Sequence, residues 1–453
     1  MTNLLLLTPQ LPYPPHQGTS LRNFHIIRGL AARHTITLLS FLEDNQTVDP
    51  EANKPLFDLC AQVGTVPVPA RSKWKRLWQM ASTRLPDMAH RLYSAEFEAK
   101  LRQFLAENRF DVVQVEGIEL ARYMTTVRAL SPQSKLVFDD HNAEAELQRR
   151  NMETDAAHPR RWPAAAYSWV QVGRLEKFEA WACGTADWVT AVSAADVVHL
   201  QKLLQRKEAK KQRSPISAIP NCIDVTSYQT PPQNSSLRQA QDRLFIPSTS
   251  SRQALPPFDK LRTSPSSFIL PPSSFSFDLV FSGKMDYRPN VDAVLWFADA
   301  VWPLILAERP LTTWAIVGQK AHARLERLRS LPGVTLTGWV ESVQPYLAGA
   351  GVYVMPFRIG SGTRLKLIEA MASGLAIVST PIGAEGFPVS NNRELVLAET
   401  PQELATAVLY LLDHPDERQK LGQAAVQFAR QYDWRQVIPA FEAIYEEMMK
   451  DEG

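Results

Sequence analysis

The sequence predicts a two-domain α/β protein in which each domain is a doubly wound parallel sheet. Three observations carry this. Short continuous apolar runs alternate with longer helical patterns from Leu4 to Ala218, the same alternation restarts at Leu279, and a stretch of different composition lies between them. Apolar runs too short for helices and separated by helical patterns imply strands buried on both faces. At 453 residues the chain has room for two or three domains, since a domain takes roughly 100–200 residues.

In the first half the strand candidates are Leu4–Leu7, Thr35–Phe41, Val63–Val66, Val112–Val115, Leu136–Phe138, Trp188–Ala191 and Ile216–Ile219. Leu21, Phe24, Ile27 and Leu30 recur at helical spacing after Ser20, a good N-cap. Phe97–Leu105 and Ala164–Ala182 are further helical patterns. Residues 227–276 hold eight of the 33 prolines and twelve serines, and P-S-S-F occurs twice. With no hydrophobic period, this segment reads as a disordered insertion or linker.

In the second half the strand candidates are Leu279–Phe281, Trp314–Val317, Val334–Leu336, Val352–Met355 and Ala376–Ser379. Helical patterns at Val291–Trp302, Ala321–Leu331, Leu365–Ala372 and Glu403–Leu412 separate most of them, and a last one covers Gln436–Met449. The expected division is therefore 1–226, 227–276 and 277–435. Two such units make a cleft, and ligands bind there at the carboxyl ends of the strands.

Composition narrows the function. Lys plus Arg is 49 against 47 for Asp plus Glu, a net charge of +2, which argues against a dedicated nucleic-acid binder. Cys60, Cys183 and Cys222 are far apart and form no zinc-ligand pattern, so they read as free thiols in a reducing cytoplasm. The apolar runs fall short of the ~20 residues that span a bilayer. The start, M-T-N-L-L-L-L-T, has no basic leader and reads as a buried first strand.

The chemistry concentrates in Pro356–Glu385, P-F-R-I-G-S-G-T-R-L-K-L-I-E-A-M-A-S-G-L-A-I-V-S-T-P-I-G-A-E. A strand leads into a loop with Gly360 and Gly362, and a helix is expected to open near Thr363. Free N–H groups and the positive helix end suit a phosphate there. Arg364 and Lys366 add cationic side chains, and Glu369, inside the helix, can accept from ribose hydroxyls. Gly374 permits a tight exit into the next strand.

This string resembles the nucleotide-sugar signature of the retaining glycosyltransferase family 4, whose fold is GT-B, two Rossmann-like domains facing across a cleft. The resemblance covers nearly the whole chain outside 227–276. Glu369 matches the second glutamate of the family's Glu-x7-Glu motif, expected on the donor ribose. The first falls at Ser361 and is absent, and the string resembles the branch with G-x-G-T-R-L-K before the glutamate. Gly360, Ser361, Gly362, Thr363, Arg364 and Lys366 are then expected around the donor.

The resemblance extends to three more loops. Phe281-Ser282-Gly283-Lys284 matches the position where a glycine and a basic residue approach the donor diphosphate; Arg288 is the nearest candidate for a second basic residue. The loop Thr337–Val340 matches the one that meets the nucleobase, with Val340 offering backbone groups and Trp339 beside it. Gly18, in P-P-H-Q-G-T-S-L-R, matches the glycine loop that faces the donor phosphate, with Arg22 either in the cleft or on the surface.

His141 follows Asp139-Asp140 at a strand end and matches the histidine expected near the reacting centre. An imidazole there can bind a sugar hydroxyl or manage a proton. Glu116, at another strand end, is an acceptor-side candidate. Gly18, His141 and Lys284 are the expected catalytic set.

What the resemblance implies is transfer of a sugar, with retention, from a nucleotide-diphosphate sugar to a glycan or lipid-linked acceptor. The setting would be polysaccharide or glycolipid assembly in the cytoplasm. No permanent cofactor or metal is expected, since Lys284, Arg364 and helix ends can meet the diphosphate charge. The final helix is expected to cross back onto the first domain. Arg71–Trp78, basic with two tryptophans, reads either as a solvated helix or as a peripheral contact with the inner membrane face. Alternatives are a silent nucleotide-sugar or glycan-binding protein, a sugar-nucleotide epimerase, and a membrane-bound scaffold.

Overall fold

The computed structural model describes residues 1–15, 18–43, 46–206, 214–229, 276–360 and 362–450. The expected insertion therefore lies almost wholly outside the described residues, as does Ser361.

The first sheet is built from β1 (Asn3–Thr8), β2 (Thr35–Leu42), β3 (Gln62–Pro67), β4 (Val112–Glu116), β5 (Lys135–Asp140), β6 (Trp188–Ala191) and β7 (Ile216–Ala218), in the order β3-β2-β1-β4-β5-β6-β7. Every pairing is parallel, with Leu4 opposite both Ile36 and Val112. The run of leucines in β1 follows from this central place. Leu4 and Leu6 enter one core with Ile27, Ile36 and Phe441, whereas Leu5 and Leu7 enter the opposite core with Leu39, Phe97 and Phe104. Successive side chains point to opposite faces, and both faces are covered. Each fully buried leucine contributes about 1.5–3 kcal/mol.

The second sheet holds β8 (Phe277–Ser282), β9 (Trp314–Val317), β10 (Val334–Gly338), β11 (Ala350–Met355), β12 (Ala376–Ser379) and β13 (Val396–Leu397), in the order β10-β9-β8-β11-β12-β13, again all parallel. Trp302 and Trp314, ring centroids 5.7 Å apart, fill its core with Phe297. The chain order reverses between β1 and β4 in one sheet and between β8 and β11 in the other. Such switch points leave crevices at the strand carboxyl ends.

The helix Trp434–Lys450 returns to the first domain. Val437, Ile438, Phe441, Ile444, Tyr445 and Met448 share a core with β1 and the helix Gly18–Leu30. The approach is close, since a β-carbon on Gly29 would lie 2.4 Å from Ile438 Cγ1. Just before it, Ile223 pairs with Asp433, and Ile223 and Val225 join the second domain's core.

Four local expectations change. The helix Gly18–Leu30 starts before Ser20, which is buried in its first turn. Residues 323–330 form a 3₁₀ helix instead of an α-helix. Leu325 and Leu328 are its buried residues, and a three-residue spacing suits the three-residue turn. The helix of the glycine-rich string starts at Leu365, so Arg364 is its N-cap. Arg288–Glu308 is one helical run of 21 residues with mean hydropathy 1.4, long and apolar enough to cross a membrane, and longer than the apolar runs expected. Here its Val294, Phe297, Val301 and Trp302 are buried in the second core. A π turn at Phe297–Val301 precedes Pro303, whose missing N–H disrupts the regular ladder.

Candidate functional site

Two helix starts meet where the domains face each other. A β-carbon on Gly18 would lie 3.5 Å from Leu365 Cδ1, and one on Gly362 would lie 2.5 Å from Asn142 Oδ1. Positive φ at Gly360 (119°) and Gly362 (76°) brings the loop this close without side-chain clashes. Polar bridges tie the same seam. Asn221 Nδ2 donates to Thr363 Oγ1 at 2.8 Å, Arg150 pairs with Glu385 at 2.5 Å, and Arg288 pairs with Asp155 at 2.5 Å. Arg288 thus reaches across to the first domain, a correction to its expected place at a diphosphate. Asp155 is buried on the facing helix and supplies both carboxylate oxygens to it.

The second-domain wall is cationic. Lys366 Nζ donates to Ser282 O and Asn290 Oδ1, each at 2.8 Å, and lies over the Phe281 and Phe357 rings. Gly283, at φ 152°, leaves it room, since a β-carbon there would be 2.4 Å from Nζ. Burial and the Arg364 charge pull Lys366 down to about 7. Arg364 donates to Ile382 O at 2.5 Å and lies over Phe357. Its guanidinium is lowered by burial, offset by Glu385. A β-carbon on Gly360 would sit 2.7 Å from Arg364 Nη2. Lys284 is half-buried at the end of β8, and its carbonyl accepts from Asn290 Nδ2 at 2.8 Å.

Glu369 faces the same space one turn further along. Its carboxylate accepts from the Tyr228 hydroxyl at 2.7 Å. Burial raises its pKa, against the Tyr228 bond and the Lys366 charge. Sequence reasoning missed Tyr228, which lies at the start of the segment 227–276 expected to be disordered, yet closes the short helix Val225–Tyr228 and stands in no motif. Val340 packs its side chain on the second core, leaving only backbone groups for a ligand, and Trp339 is exposed.

The first-domain wall is an ionic network. Asp139, at the end of β5, accepts three hydrogen bonds of 2.9–3.1 Å from Arg22 and one from Thr190 Oγ1 at 2.6 Å. Arg22 is 1% exposed and also donates to Pro220 O at 2.9 Å. It is neither a surface residue nor an open cleft residue. Burial opposes its charge, but Asp139 and Glu116 keep the guanidinium above its ordinary value.

His141 Nε2 bonds to Glu116 Oε2 at 2.8 Å. Glu116 is fully buried and also accepts from Gln114 Nε2 at 2.5 Å, so it supports the histidine from beneath and does not face an acceptor. Burial and Asp139 push Glu116 up to about 6. For His141 burial opposes protonation, but the Glu116 bond and Asp139 outweigh it and raise the imidazole. Glu116, Asp139 and His141 have donor atoms within 4.8 Å of one another. Asp139, however, already has both oxygens on Arg22. As a donor set they suit a held imidazolium better than a divalent ion.

Behind this network Asp140 is buried with neither oxygen hydrogen-bonded. Burial and the nearby Glu179, Glu144 and Asp196 raise it well above the ordinary carboxylate range. The arrangement can therefore hold an anion between two helix starts, with cations on one side and, on the other, an imidazole whose protonated form its carboxylate neighbours favour.

Comparison with known proteins agrees with this fold. Residues 17–227 match the family model "Glycosyltransferase Family 4", and residues 276–414 match "Glycosyl transferases group 1". An uncharacterized 44.6 kDa protein in the cps region of Klebsiella pneumoniae is 23% identical over 38% of this chain and 45% of its own length. D-inositol 3-phosphate glycosyltransferase of Corynebacterium aurimucosum is 34% identical over 19% of this chain and 21% of its own. These matches span less than half the length of the curated relatives. Among solved structures, HepE of Anabaena in complex with UDP and glucose superposes with a TM-score of 0.59 at 15% identity, covering 99% of this chain and 100% of that one. Sucrose-phosphate synthase of Thermosynechococcus elongatus gives 0.63 at 15% identity with the same coverage.

Proposed function

We propose, from the premise that the chain is a two-domain GT-B protein of the glycosyltransferase family 4 type, that it moves a sugar from a nucleotide-diphosphate sugar to an acceptor hydroxyl with retention of configuration. The single observation that carries this is the meeting of two helix starts, Lys366 and Arg364 with the Glu369 carboxylate one turn away. A diphosphate needs the first group and a ribose the second. The UDP and UDP-glucose complexes of the HepE structures support a nucleotide sugar as donor.

In this reading Arg364, Lys366, Lys284 and the N–H groups around Gly360, Gly362 and Thr363 take the diphosphate. The backbone of Gly283 permits its approach, and Val340 offers backbone groups to the base. Glu369 takes the ribose once Tyr228 gives way. His141, whose protonated form the Glu116 bond favours, donates to a sugar hydroxyl or to the departing phosphate oxygen, and Gly18 lets the first domain close on it. As the anomeric carbon–oxygen bond breaks, the diphosphate receives the acceptor's proton on the face where the acceptor oxygen bonds to that carbon. The cations meet the developing charge, so no metal or permanent cofactor is assigned. Water is excluded by the seam of interdomain bonds.

The acceptor is assigned as a glycan or lipid-linked hydroxyl in polysaccharide or glycolipid assembly, at the cytoplasmic face of a membrane. The helix Lys73–Ser82 supports the membrane contact, with Trp74 81% and Trp78 68% exposed. The test is incubation with UDP-, GDP-, ADP- and TDP-sugars and an acceptor panel, reading nucleotide release and product anomer by NMR. Acceptor-dependent release with the donor's anomeric configuration is expected. Inversion would overturn the mechanism, and tight binding with no turnover across the panel would favour the silent-binder reading.

A further inference from the structure

Away from the cleft, the first domain carries a second built feature. A cavity of about 610 Å³ opens between the helices Ala95–Glu107, Met124–Leu130 and Trp162–Thr185, roofed by residues 84–86. None of its lining residues belongs to the clusters described above. Arg84, Arg102, Arg122, Arg174 and Lys177 line it against one carboxylate, Glu98. That carboxylate is already engaged by Arg102 at 2.7 Å and by the Tyr93 hydroxyl at 2.7 Å. Arg84 and Lys177 have no hydrogen-bond or ion-pair partner among the described residues. Arg174 is fixed by the carbonyls of Met80 and Leu85 at 2.9 and 3.3 Å. Arg122 stacks on Tyr93, 3.4 Å from its centroid.

Apart from Thr125 and Thr126, the remaining walls are mainly apolar, including the stacked pair Phe178 and Trp181. The cavity's neighbour is the helix Lys73–Ser82. Arg76 and Arg71 both pair with Asp87, whose N–H donates to Gln171 Oε1 at 2.8 Å, locking that helix beside Trp162–Thr185. Trp162 and Trp169, 62% and 71% exposed, stand on the second helix as Trp74 and Trp78 do on the first.

We propose that this cavity binds the phosphorylated headgroup of an anionic membrane lipid. Several arginines in one pocket are the chemistry of a phosphate, and the unpaired Arg84 and Lys177 are the cations still available to it. The apolar walls suit the glycerol and first acyl carbons. The exposed tryptophans on the helices Lys73–Ser82 and Trp162–Thr185 are amphipathic rings of the kind found at the headgroup level of bilayers. The proposal rests on the membrane contact proposed above, which the test separates from the pocket itself.

The experiment uses the full chain, the Arg84→Ala/Lys177→Ala variant and the Trp74→Ala/Trp78→Ala variant. Monomeric dihexanoyl phosphatidic acid is titrated by calorimetry, beside glycerol 3-phosphate. Flotation uses phosphatidylcholine vesicles with or without phosphatidic acid. The expected result is that dihexanoyl phosphatidic acid binds the native chain and loses at least about tenfold in affinity with Arg84→Ala/Lys177→Ala, while glycerol 3-phosphate binds far more weakly. Trp74→Ala/Trp78→Ala should bind the short-chain lipid normally and lose flotation with phosphatidic acid vesicles. Equal affinity of native and Arg84→Ala/Lys177→Ala chains for dihexanoyl phosphatidic acid would overturn the headgroup site. So would equal binding of glycerol 3-phosphate, which would make it a site for a soluble phosphate. Native chain that binds the short-chain lipid in the cavity but does not float would remove the membrane contact and leave the headgroup site standing.

Discussion

The two walls of the cleft are made in opposite ways. The second-domain wall comes from one short stretch, in which Arg364, Lys366 and Glu369 lie within six residues at a helix start. The first-domain wall gathers Arg22, Glu116, Asp139 and His141 from a helix, two strand ends and the loop that follows one of them. The first arrangement places charges by local helix geometry. The second needs the whole sheet, since β4 and β5 must pair with Glu116 beside Asp139 before the network exists. The difference predicts that the cationic wall, the proposed donor site, can be substituted without loss of the fold, whereas the ionic wall is also part of the fold.

That contrast can be broken by substitution, and the largest effect is expected in the first domain. Arg22→Met leaves Asp139 charged and buried, and should destabilise the first domain by about 3–5 kcal/mol in chemical denaturation. Arg22→Met/Asp139→Leu should recover most of it. If Arg22→Met melts like the native protein, the ionic wall is not structural.

Glu369→Ala should leave the denaturation profile close to native and weaken donor binding roughly tenfold or more, for charged hydrogen bonds of about 1.5–3 kcal/mol. A large loss of stability instead would erase the distinction between the walls.

The third effect is pH dependence. Lys366 is lowered to about 7 in the free protein. A diphosphate favours its charged form, so donor binding takes up a proton, and affinity falls as pH rises above 7 by up to roughly tenfold per unit. Lys366→Arg, charged throughout, should flatten this slope in calorimetric titrations from pH 7 to 9. A native slope of zero would mean the ammonium does not meet the ligand.

The smallest effect concerns the partner of Glu369. Tyr228→Phe removes the hydroxyl that donates to Glu369. Donor affinity should then rise by roughly two- to tenfold, the worth of one ordinary hydrogen bond. Weaker binding in Tyr228→Phe would make Tyr228 a ligand contact instead of a placeholder.

The same contrast explains what was legible in the sequence. Both sheets were readable, apart from the two-residue edge strand Val396–Leu397, because buried parallel strands are continuous apolar runs, as in Leu4–Leu7. The glycine-rich string was readable because its spacing is local. Arg22 and Glu116 were noticed but misplaced, since nothing local says that a helix arginine will meet Asp139 from β5. Tyr228 carries no signal, since it lies inside the biased segment that was read as disordered. The cavity was illegible because its cations come from separate helices and the turn after Lys73–Ser82. The α-helix expected near residue 323 failed for a physical reason, as its apolar residues follow a three-residue period.

The account turns on Glu369 meeting a ribose. The most direct measurement is calorimetric titration of native protein and folded Glu369→Ala with UDP-, GDP-, ADP- and TDP-sugars and their free nucleotides. The account predicts that one nucleotide series binds the native chain, free nucleotide included, and loses tenfold or more in the variant. Equal affinity in both proteins, or no binding of any series to the native chain at millimolar ligand, would contradict it.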